Sequence, residues 1–510
     1  MKYRIICVIV VVALVISVML FPDIKDKRNR YHQHLEAKPK AECTNHNDDV
    51  FCTHLPLINI TTDGEMPSPY ILEEGQELPY ADIALGLIHI EKNDEMVGAT
   101  IEYFDCETQN NHLTDNPVIK EKAFVRTRGA TSRIYDKKGY LIKFKESDLV
   151  TNKDVSLSGM TADNEWVLHG PFLDKTLIRN YVCYNLAGEI MEYAPNVRFC
   201  EAYLNGEYIG VYLIVEKIGY NKYGRVQVSK TDSEIAETSY IVKIDRQNMD
   251  PLESITTFSR KSLFSSSLLA NTGYMSIVYP ASTLTEEQRR YIISDISKFE
   301  KTIYSFDYDD EKRGYLKYID VESFVDYFLI NEFTLNYDAN ALSRFFYKDV
   351  GGKYKMCVWD FNSAFDYYKY SYTTPQTFQL HKSIWYEYLF KNETFVEAVI
   401  DRYYELSESY FNEKYLLNYI DETIEYLGSA IERNYEKWGY SFQSEYNGKL
   451  YDFIYPTERN VRSYEAAVTQ LKNCIINRIN FMNENIGRLG SLSHGSVNKK
   501  YNYENREEKQ

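Results

Sequence analysis

The chain has 510 residues, of which 44% are hydrophobic and 26% are charged, and its net charge is −16 at pH 7. This composition is that of a globular protein with enough apolar side chains for a sizeable core, and the length allows two or three domains. The acidic balance argues against a general nucleic-acid-binding protein, which would present a basic surface. It does not exclude a nucleotide site, since such a site needs only a few local cations.

The N-terminal region contains an apolar run, residues 5–21, that follows Lys2 and Arg4. The run is at the short end for a membrane span, and no A-x-A cleavage site follows it. We therefore predict a membrane anchor at residues 1–22, with a cleaved signal peptide as the alternative, and a polar linker at residues 23–54. Basic residues on both sides of the run leave the positive-inside rule undecided. We expect the rest of the chain to be extracytoplasmic, either membrane-anchored or secreted.

None of the eight cysteines belongs to a C-x-x-C pair, so the sequence does not predict a zinc knuckle. Cys43 and Cys52 flank a short polar segment and are placed to pair in an oxidising compartment. Cys183, Cys200 and Cys357 lie in apolar surroundings, which is typical of cysteines buried as small hydrophobic residues.

Residues 55–250 predict a β-rich lobe, because short alternating runs of β-branched and aromatic residues are separated by turn residues. Asn205-Gly206 between two such runs is a strong hairpin signal. One helix interrupts the strands at residues 175–191, with Asp174 in the N-cap position. The predicted strands cover residues 55–62, 85–91, 123–129, 140–146, 197–218 and 240–246.

Helical periodicity dominates the rest of the chain. Residues 251–382 are predicted to hold two helices and a hairpin around Gly351-Gly352, and residues 383–487 are predicted to be almost wholly helical. The polar tail, residues 488–510, is predicted to be disordered. The whole pattern predicts an α+β fold with an antiparallel, β-rich N-terminal part and a helical C-terminal part.

Two aspartates stand out by their position. An apolar run ends abruptly at Asp360 in the sequence WDFN, and Asp338 follows a predicted helix 22 residues earlier (360 − 338). Asp360 with Asn362 is typical of a strand-ending turn, but a carboxylate at a strand end can also hold a hard cation beside a phosphate. Phosphoryl transfer needs one carboxylate for the metal and a second, metal-free one for the attacking hydroxyl. Lys143, on an earlier predicted strand, is placed in chain order to neutralise phosphate charge.

The order of these segments resembles the CotH kinase family, the atypical protein kinases similar to spore coat protein H. The resemblance spans residues 55–487. It rests on VRTRGATSRIYDKKGYLIKF, on EWVLHGPFLDKTLIRNYVCYNLA with YAPNVRFCEAYLNGEYIGVYLIVEKI, on NYDANALSRFFYKDVGGKYKMCVWDFNSAF and on WYEYLFKNETFVEAVIDRYYEL.

The resemblance implies a divergent protein-kinase-like fold that transfers phosphate from ATP to Ser or Thr hydroxyls of a protein, with Mg²⁺ or Mn²⁺ as the cation. Asp338 would be the catalytic acid–base, and Asp360 and Asn362 would be the metal ligands. The nucleotide would be bound by the RGATS loop, by the lysine of the next strand and by a hinge-like glutamate, namely Arg128, Gly129, Ser132, Lys143 and Glu216.

One position departs from the family pattern. Asp366 stands where the family usually has Gly, so it either adds a ligand near the metal or distorts a turn that favours positive φ. Two other functions stay open at this point: a surface adhesin or envelope-assembly protein on the same scaffold, and a transferase that adenylylates proteins.

Overall fold

The computed structural model describes the following residues of the chain: 30–41, 51–72, 90–246, 253–259, 273–367 and 375–494. Two compact units divide the chain at His32. The first unit is described only at residues 30–32, so the architecture below is that of the second, Gln33–Gln510. The predicted membrane anchor at residues 1–22 lies outside the described residues. In the described ranges, no helix combines the length and the apolar character that crossing a bilayer requires.

Seven strands of the N-terminal half close into a barrel with the order β1-β2-β3-β4-β5-β7-β6. Neighbours pair antiparallel, except that β1 closes the barrel by pairing parallel with β6, with Leu57 opposite Glu201. The purely antiparallel pattern that the sequence predicts is therefore wrong at this one seam. The strands are β1 Leu57–Thr62, β2 Val97–Phe104, β3 Ile119–Arg128, β4 Gly139–Lys145, β5 Glu165–His169, β6 Val197–Leu204 and β7 Glu207–Glu216.

Strand alternation gives the barrel two different faces. Ile101, Val125 and Ile142 point into the barrel and are at most 1% exposed, so they form its own apolar core. The opposite face of β5 and β7 carries Val167 and Val215, which join the main core under the helices. Every second residue thus faces away from the barrel interior, and this outer face is where polar side chains can converge.

A second sheet follows with the order β12-β11-β8-β10-β9, antiparallel throughout. It crosses the predicted boundary at residue 250, because β8 comes from the N-terminal side of that boundary and the other strands come from beyond it. A small hairpin, β13 with β14, stands apart. The bounds are β8 Tyr240–Asp245, β9 Ser254–Ile255, β10 Tyr274–Tyr279, β11 Arg344–Lys348, β12 Lys355–Cys357, β13 Glu445–Tyr446 and β14 Lys449–Leu450.

The helices pack on the outer face of the barrel and on one face of the second sheet, around one large apolar core. Polar residues cap two of these helices: Asp320 and Asn392 each accept a hydrogen bond from a first-turn N–H. The helices are α1 Gln33–Glu36, α2 Arg179–Ile190, α3 Glu286–Ile303, α4 Val321–Phe333, α5 Tyr386–Leu389, α6 Glu393–Ser407, α7 Glu413–Leu427, α8 Ser429–Trp438 and α9 Tyr464–Asn485.

The predicted α+β class is confirmed, with a β-rich N-terminal half and a helical C-terminal part. The Asn205-Gly206 hairpin forms as predicted, with φ of 52° and 81° at its two central residues. Helix α2 begins later than expected, at Arg179. The reason is that Leu177 has φ of 67°, while the Asp174 side chain accepts from the N–H of Arg179 at 2.8 Å.

Two predicted segments fall partly outside the described residues. The predicted strand at 85–91 is described only at its last two residues, which are not in a strand. The predicted disordered tail begins with a 3-10 helix, Ile486–Leu492, and residues 495–510 lie outside the described part.

Candidate active site

A cavity of about 260 Å³ lies where the outer face of the barrel meets α2 and the second sheet. Six cationic side chains and three carboxylates line it, a cationic excess in a protein whose net charge is −16. Such a concentration of positive charge attracts an anionic ligand. The lining residues that carry this charge are Lys92, Asp94, Arg126, Arg128, Arg133, Lys243, Asp245, Arg246 and Asp360.

The predicted RGATS loop forms one wall of the cavity. Arg128 ends β3, and Gly129 and Ser132 follow it on the lining. Gly129 has φ of 113°, and a Cβ there would collide with Ser132 Oγ, so this close turn requires glycine. The structure thus brings these three predicted residues together.

Arg133 holds the loop in place, a role that sequence reasoning missed. Its side chain is 2% exposed, and Nε donates to Gly129 O at 3.0 Å. Nη1 donates to Asn93 O at 2.6 Å, and Nη2 pairs with Asp94. Arg126 also binds Asp94, at 2.7 Å. Asp94 is therefore the ion-pair partner of two cations of the cavity, Arg126 and Arg133.

Three other cations of the cavity have no ion-pair partner among the described carboxylates. Within the described ranges, no carboxylate makes an ion pair with Arg128, Lys92 or Arg246, although all three line the cavity. Arg128 lies over the Trp359 ring, 5.4 Å from its centroid, and burial lowers the pKa of Arg128 while Asp360 opposes that shift. These three groups are the ones available to the oxygens of an anionic ligand.

Asp360 and Asn362 form a second wall of the cavity, in the segment that follows β12. Asp360 has φ of 60°, an uncommon conformation for a non-glycine residue. Its N–H donates to Tyr184 Oη at 3.0 Å, and its Oδ1 accepts from the N–H of Asn362 at 3.3 Å. Burial raises the pKa of Asp360, and Arg128 opposes the rise.

Asn180 on α2 organises this wall. Sequence reasoning missed it, because the only signal is a polar residue inside an apolar helix. Its Nδ2 donates to Asn362 Oδ1 at 2.7 Å and lies 3.2 Å from His169 Nε2, while its Oδ1 accepts from the N–H of Phe361 at 2.9 Å. One buried amide therefore orients the whole DFN turn. Burial lowers the pKa of His169 to about 3, so this imidazole is neutral.

Asp338 lies in the short 3-10 turn Tyr337–Asn340 between α4 and β11. Burial and, to a smaller extent, the charge of Asp360 raise the pKa of Asp338 to about 7, while Arg246 opposes the rise. The two predicted aspartates are thus close enough to influence each other's ionisation. In the described part of the chain, nothing donates a hydrogen bond to the Asp338 carboxyl, which leaves its oxygens available.

The donor set fits a hard divalent cation. Asp360 and Asn362 present carboxylate and amide oxygens on the cavity wall, and Mg²⁺ is commonly held by one or two carboxylates together with substrate phosphates. The described side chains include no group of three or more His, Cys, Asp or Glu residues arranged around a cation. A cation here would therefore complete its coordination with ligand oxygens and water.

Two predicted nucleotide-binding residues lie outside the cavity lining. Lys143 on β4 pairs with Glu165 at 3.1 Å and is about one-third exposed. Glu216 is fully buried, accepts from the Asn196 N–H at 3.0 Å and lies 3.4 Å from Arg225 Nε. Their nucleotide-binding roles stay predictions, and the observed contacts give each a structural partner.

Asp366, the departure from the family pattern, does not line the cavity. Its φ is 56°, the conformation that the usual glycine would favour, and its Oδ1 lies 3.2 Å from Arg459 Nη2. Asp366 therefore adopts the turn conformation that glycine would favour, and its ion pair with Arg459 helps to hold it there.

Comparison with known proteins gives one family. A family model described as CotH kinase protein matches residues 125–482, which is most of the chain and includes both aspartates and the RGATS loop. No curated protein matches the sequence. The chain belongs to the CotH kinase protein family.

Proposed function

We propose that this protein is an ATP- and metal-dependent kinase with a divergent protein-kinase-like fold that phosphorylates Ser or Thr hydroxyls of proteins outside the cytoplasm. The observation that carries the proposal is the presence of two carboxyl groups at one cation-rich cavity. Asp360 lines the cavity, whereas Asp338 lies outside the lining but close enough for the charge of Asp360 to raise its pKa. No described group donates a hydrogen bond to the Asp338 carboxyl. The membership of the family supports kinase-like activity, and the charge of the cavity supports a polyphosphate substrate.

The phosphates of ATP would be held by the free cations. Arg128 provides a planar fork of donors suited to phosphate oxygens, and Ser132 adds a hydroxyl at the loop. Lys92 and Arg246, which also line the cavity, supply further positive charge. A phosphate group in this position would serve as the anionic partner of three cations for which the described residues offer no carboxylate.

Asp360 and Asn362 would hold the cation, Mg²⁺ or Mn²⁺, with Asn180 fixing the amide orientation. When bound, the cation offsets negative charge on the phosphates. Asp338 would accept a hydrogen bond from the acceptor Ser or Thr hydroxyl, orient its oxygen and take its proton. A pKa near 7 suits a general base at neutral pH.

The location of the protein is part of the proposal. The apolar run at residues 5–21 supports a membrane-anchored or secreted, extracytoplasmic protein, with spore-coat-like or cell-surface proteins as substrates. Fractionation of cells, combined with protease added from outside, tests this directly. Protection of the protein from external protease in intact cells would contradict it.

Phosphate transfer is tested with the full chain, radiolabelled ATP and either Mg²⁺ or Mn²⁺. The variant Asp338→Asn should lower turnover by ~10²–10⁴-fold, the usual contribution of a general base. The matched control is Asp401→Asn, which changes an exposed aspartate on α6 and should keep the wild-type rate.

The mass of the product separates this proposal from its rivals. Addition of phosphate supports a kinase, whereas addition of AMP would support an adenylylating transferase. Incorporation by Asp338→Asn at the wild-type rate would refute the assigned base. A wild-type protein that binds no nucleotide with either cation would favour a non-catalytic surface protein.

A further inference from the structure

Arg344, the first residue of β11, is buried without a charged partner. It is 1% exposed, and within the described ranges its Nε and Nη2 have no hydrogen-bond partner and its guanidinium makes no ion pair. Burying an unpaired charge is costly, and native proteins pair such groups or neutralise them. An arginine cannot lose its proton readily, so its charge needs a partner.

Other deeply buried arginines in the described chain show what a paired site looks like here. Arg179 Nη1 lies 2.6 Å from Asp174, and Arg478 Nη2 lies 2.7 Å from Glu332. Arg225 Nη1 lies 3.1 Å from Asp163. Each of these three guanidinium groups meets a carboxylate, and within the described ranges Arg344 does not.

The surroundings of Arg344 are aromatic and neutral. It shares a face of β11 with Phe346, which packs on Trp385 at 5.2 Å between ring centroids. The groups that act on its ionisation are the hydroxyls of Tyr327, Tyr386 and Tyr304, and burial lowers the pKa of Arg344. No described carboxylate contributes to that balance.

A second group nearby also lacks a partner. The hydroxyl of Tyr327 on α4 is buried, and the described part of the chain offers it no hydrogen-bond partner. The neighbouring Tyr386 hydroxyl, by contrast, donates to Phe324 O at 2.8 Å. Two independent donors, one of them charged, are thus left unfilled in the same region between β11 and α4.

We propose that Arg344 and Tyr327 form a buried binding site for one small monovalent anion, with chloride as the physiological candidate. The charge decides the class of ligand: one guanidinium among neutral hydroxyls balances a single negative charge. A divalent oxyanion would leave one charge uncompensated in the same apolar surroundings. This site is separate from the proposed nucleotide cavity.

The position of the site gives it a role in the fold. Helix α4 ends at Phe333 and β11 begins at Arg344, and the turn that carries Asp338 connects them. An anion held by Tyr327 and Arg344 would join the two elements on either side of that turn. Its binding would therefore stabilise the segment that presents Asp338.

The first test measures thermal unfolding of the full chain in increasing sodium chloride, against sodium gluconate at the same ionic strength. Chloride should raise the Tm saturably by about 2–4 °C beyond gluconate, since a ligand bound only to the folded state stabilises it. Arg344→Gln should abolish the chloride-specific gain. Tyr327→Phe should raise the half-saturating chloride concentration by ~10-fold, the effect of losing one hydrogen bond to a charged group.

Arg402→Gln is the matched control. It also removes one arginine charge, from a residue of α6 that pairs with Asp326, the neighbour of Tyr327 on α4. It should keep the full chloride response. An equal chloride response in wild type and Arg344→Gln, or none in the wild type, would overturn the proposal.

A second measurement does not depend on variants that fold. Crystals of the wild-type protein grown with bromide in place of chloride should show an anomalous peak between the Arg344 guanidinium and the Tyr327 hydroxyl. Ordered water without anomalous signal at that position, at saturating bromide, would overturn the proposal as well.

Discussion

Glu332 and Asp338 are six residues apart in the chain, yet the fold treats them in opposite ways. Glu332, near the end of α4, is 1% exposed and accepts hydrogen bonds from Arg478 Nη2 at 2.7 Å and from the N–H of Leu380 at 2.7 Å. Asp338, in the turn that follows, receives no side-chain hydrogen bond in the described ranges, and burial raises its pKa to about 7.

This difference distinguishes a structural carboxylate, Glu332, from one that is available for a reaction, Asp338. Arg478 also donates to the carbonyls of Pro375 and Thr377, at 3.0 and 2.7 Å, so the Glu332 pair fixes the chain entering the C-terminal helices. A fully satisfied carboxylate has no capacity left for a substrate. Asp338 keeps both oxygens and a proton affinity matched to neutral pH, which costs stability and leaves it able to take part in chemistry.

Removing the cation that pairs with Glu332 should have the largest effect on stability. Arg478→Gln leaves the Glu332 charge buried without its cation, so we expect the free energy of unfolding to fall by about 3–5 kcal/mol. Urea denaturation at neutral pH measures this. Asp338→Asn, measured in the same way, should be neutral or stabilising, because it removes a carboxyl that is disfavoured in its charged form. Equal losses for the two variants would contradict the comparison.

The pH dependence of stability sharpens the same contrast. The pKa of Asp338 is higher in the folded protein than in the unfolded chain, so the folded state binds the proton more tightly. The metal-free protein should therefore lose stability as pH rises from about 4 to about 7, by at most ~1.4 kcal/mol per pH unit from this group. Asp338→Asn should flatten the profile in that window. A wild-type stability that rises across the window, with no difference from the variant, would show that Asp338 ionises normally.

How much of this the sequence could predict depends on how local the cause is. The Asn205-Gly206 hairpin follows from residues adjacent in the chain, and this prediction is confirmed. The parallel seam between Leu57 and Glu201 depends on contacts about 140 residues apart, so no local pattern reveals it. Strand alternation predicts a β-rich lobe, but neither its closure into a barrel nor which outer-face charges meet.

The same restriction to local patterns explains which residues of the site could be predicted. Asp338 and Asp360 stand out in the sequence because acids that end a helix or a strand have a visible pattern, and their roles in catalysis and metal binding stay predictions. Asn180, Arg246 and Lys92 join the cavity from three separate elements, and each alone has the pattern of an ordinary polar residue. The prediction for Lys143 rests on its order in the chain. Chain order does not show that Glu165, on the next strand, pairs with it.

Arg128 extends the comparison to cations, since no described carboxylate pairs with it, whereas Arg478 pairs with Glu332. Arg128→Gln should raise the KM for ATP by ~10–100-fold, the usual worth of a hydrogen bond between charged groups, with little loss of stability. Steady-state kinetics with ATP as the varied substrate measure this, beside a thermal melt of each variant. A loss of stability like that of Arg478→Gln with an unchanged KM would make Arg128 structural.

Lys143 should give the smallest effect, and it decides a prediction that the geometry alone leaves open. Its ammonium is about one-third exposed and bound to Glu165, so Lys143→Gln removes a pair worth no more than ~1 kcal/mol. We expect the KM for ATP to change by less than ~5-fold. A rise as large as that of Arg128→Gln would show instead that Lys143 leaves Glu165 for a phosphate when ATP is bound. Glu165→Gln separates the two cases: it should leave the KM unchanged if the pair is structural, and lower it if Glu165 competes with the nucleotide for the same ammonium.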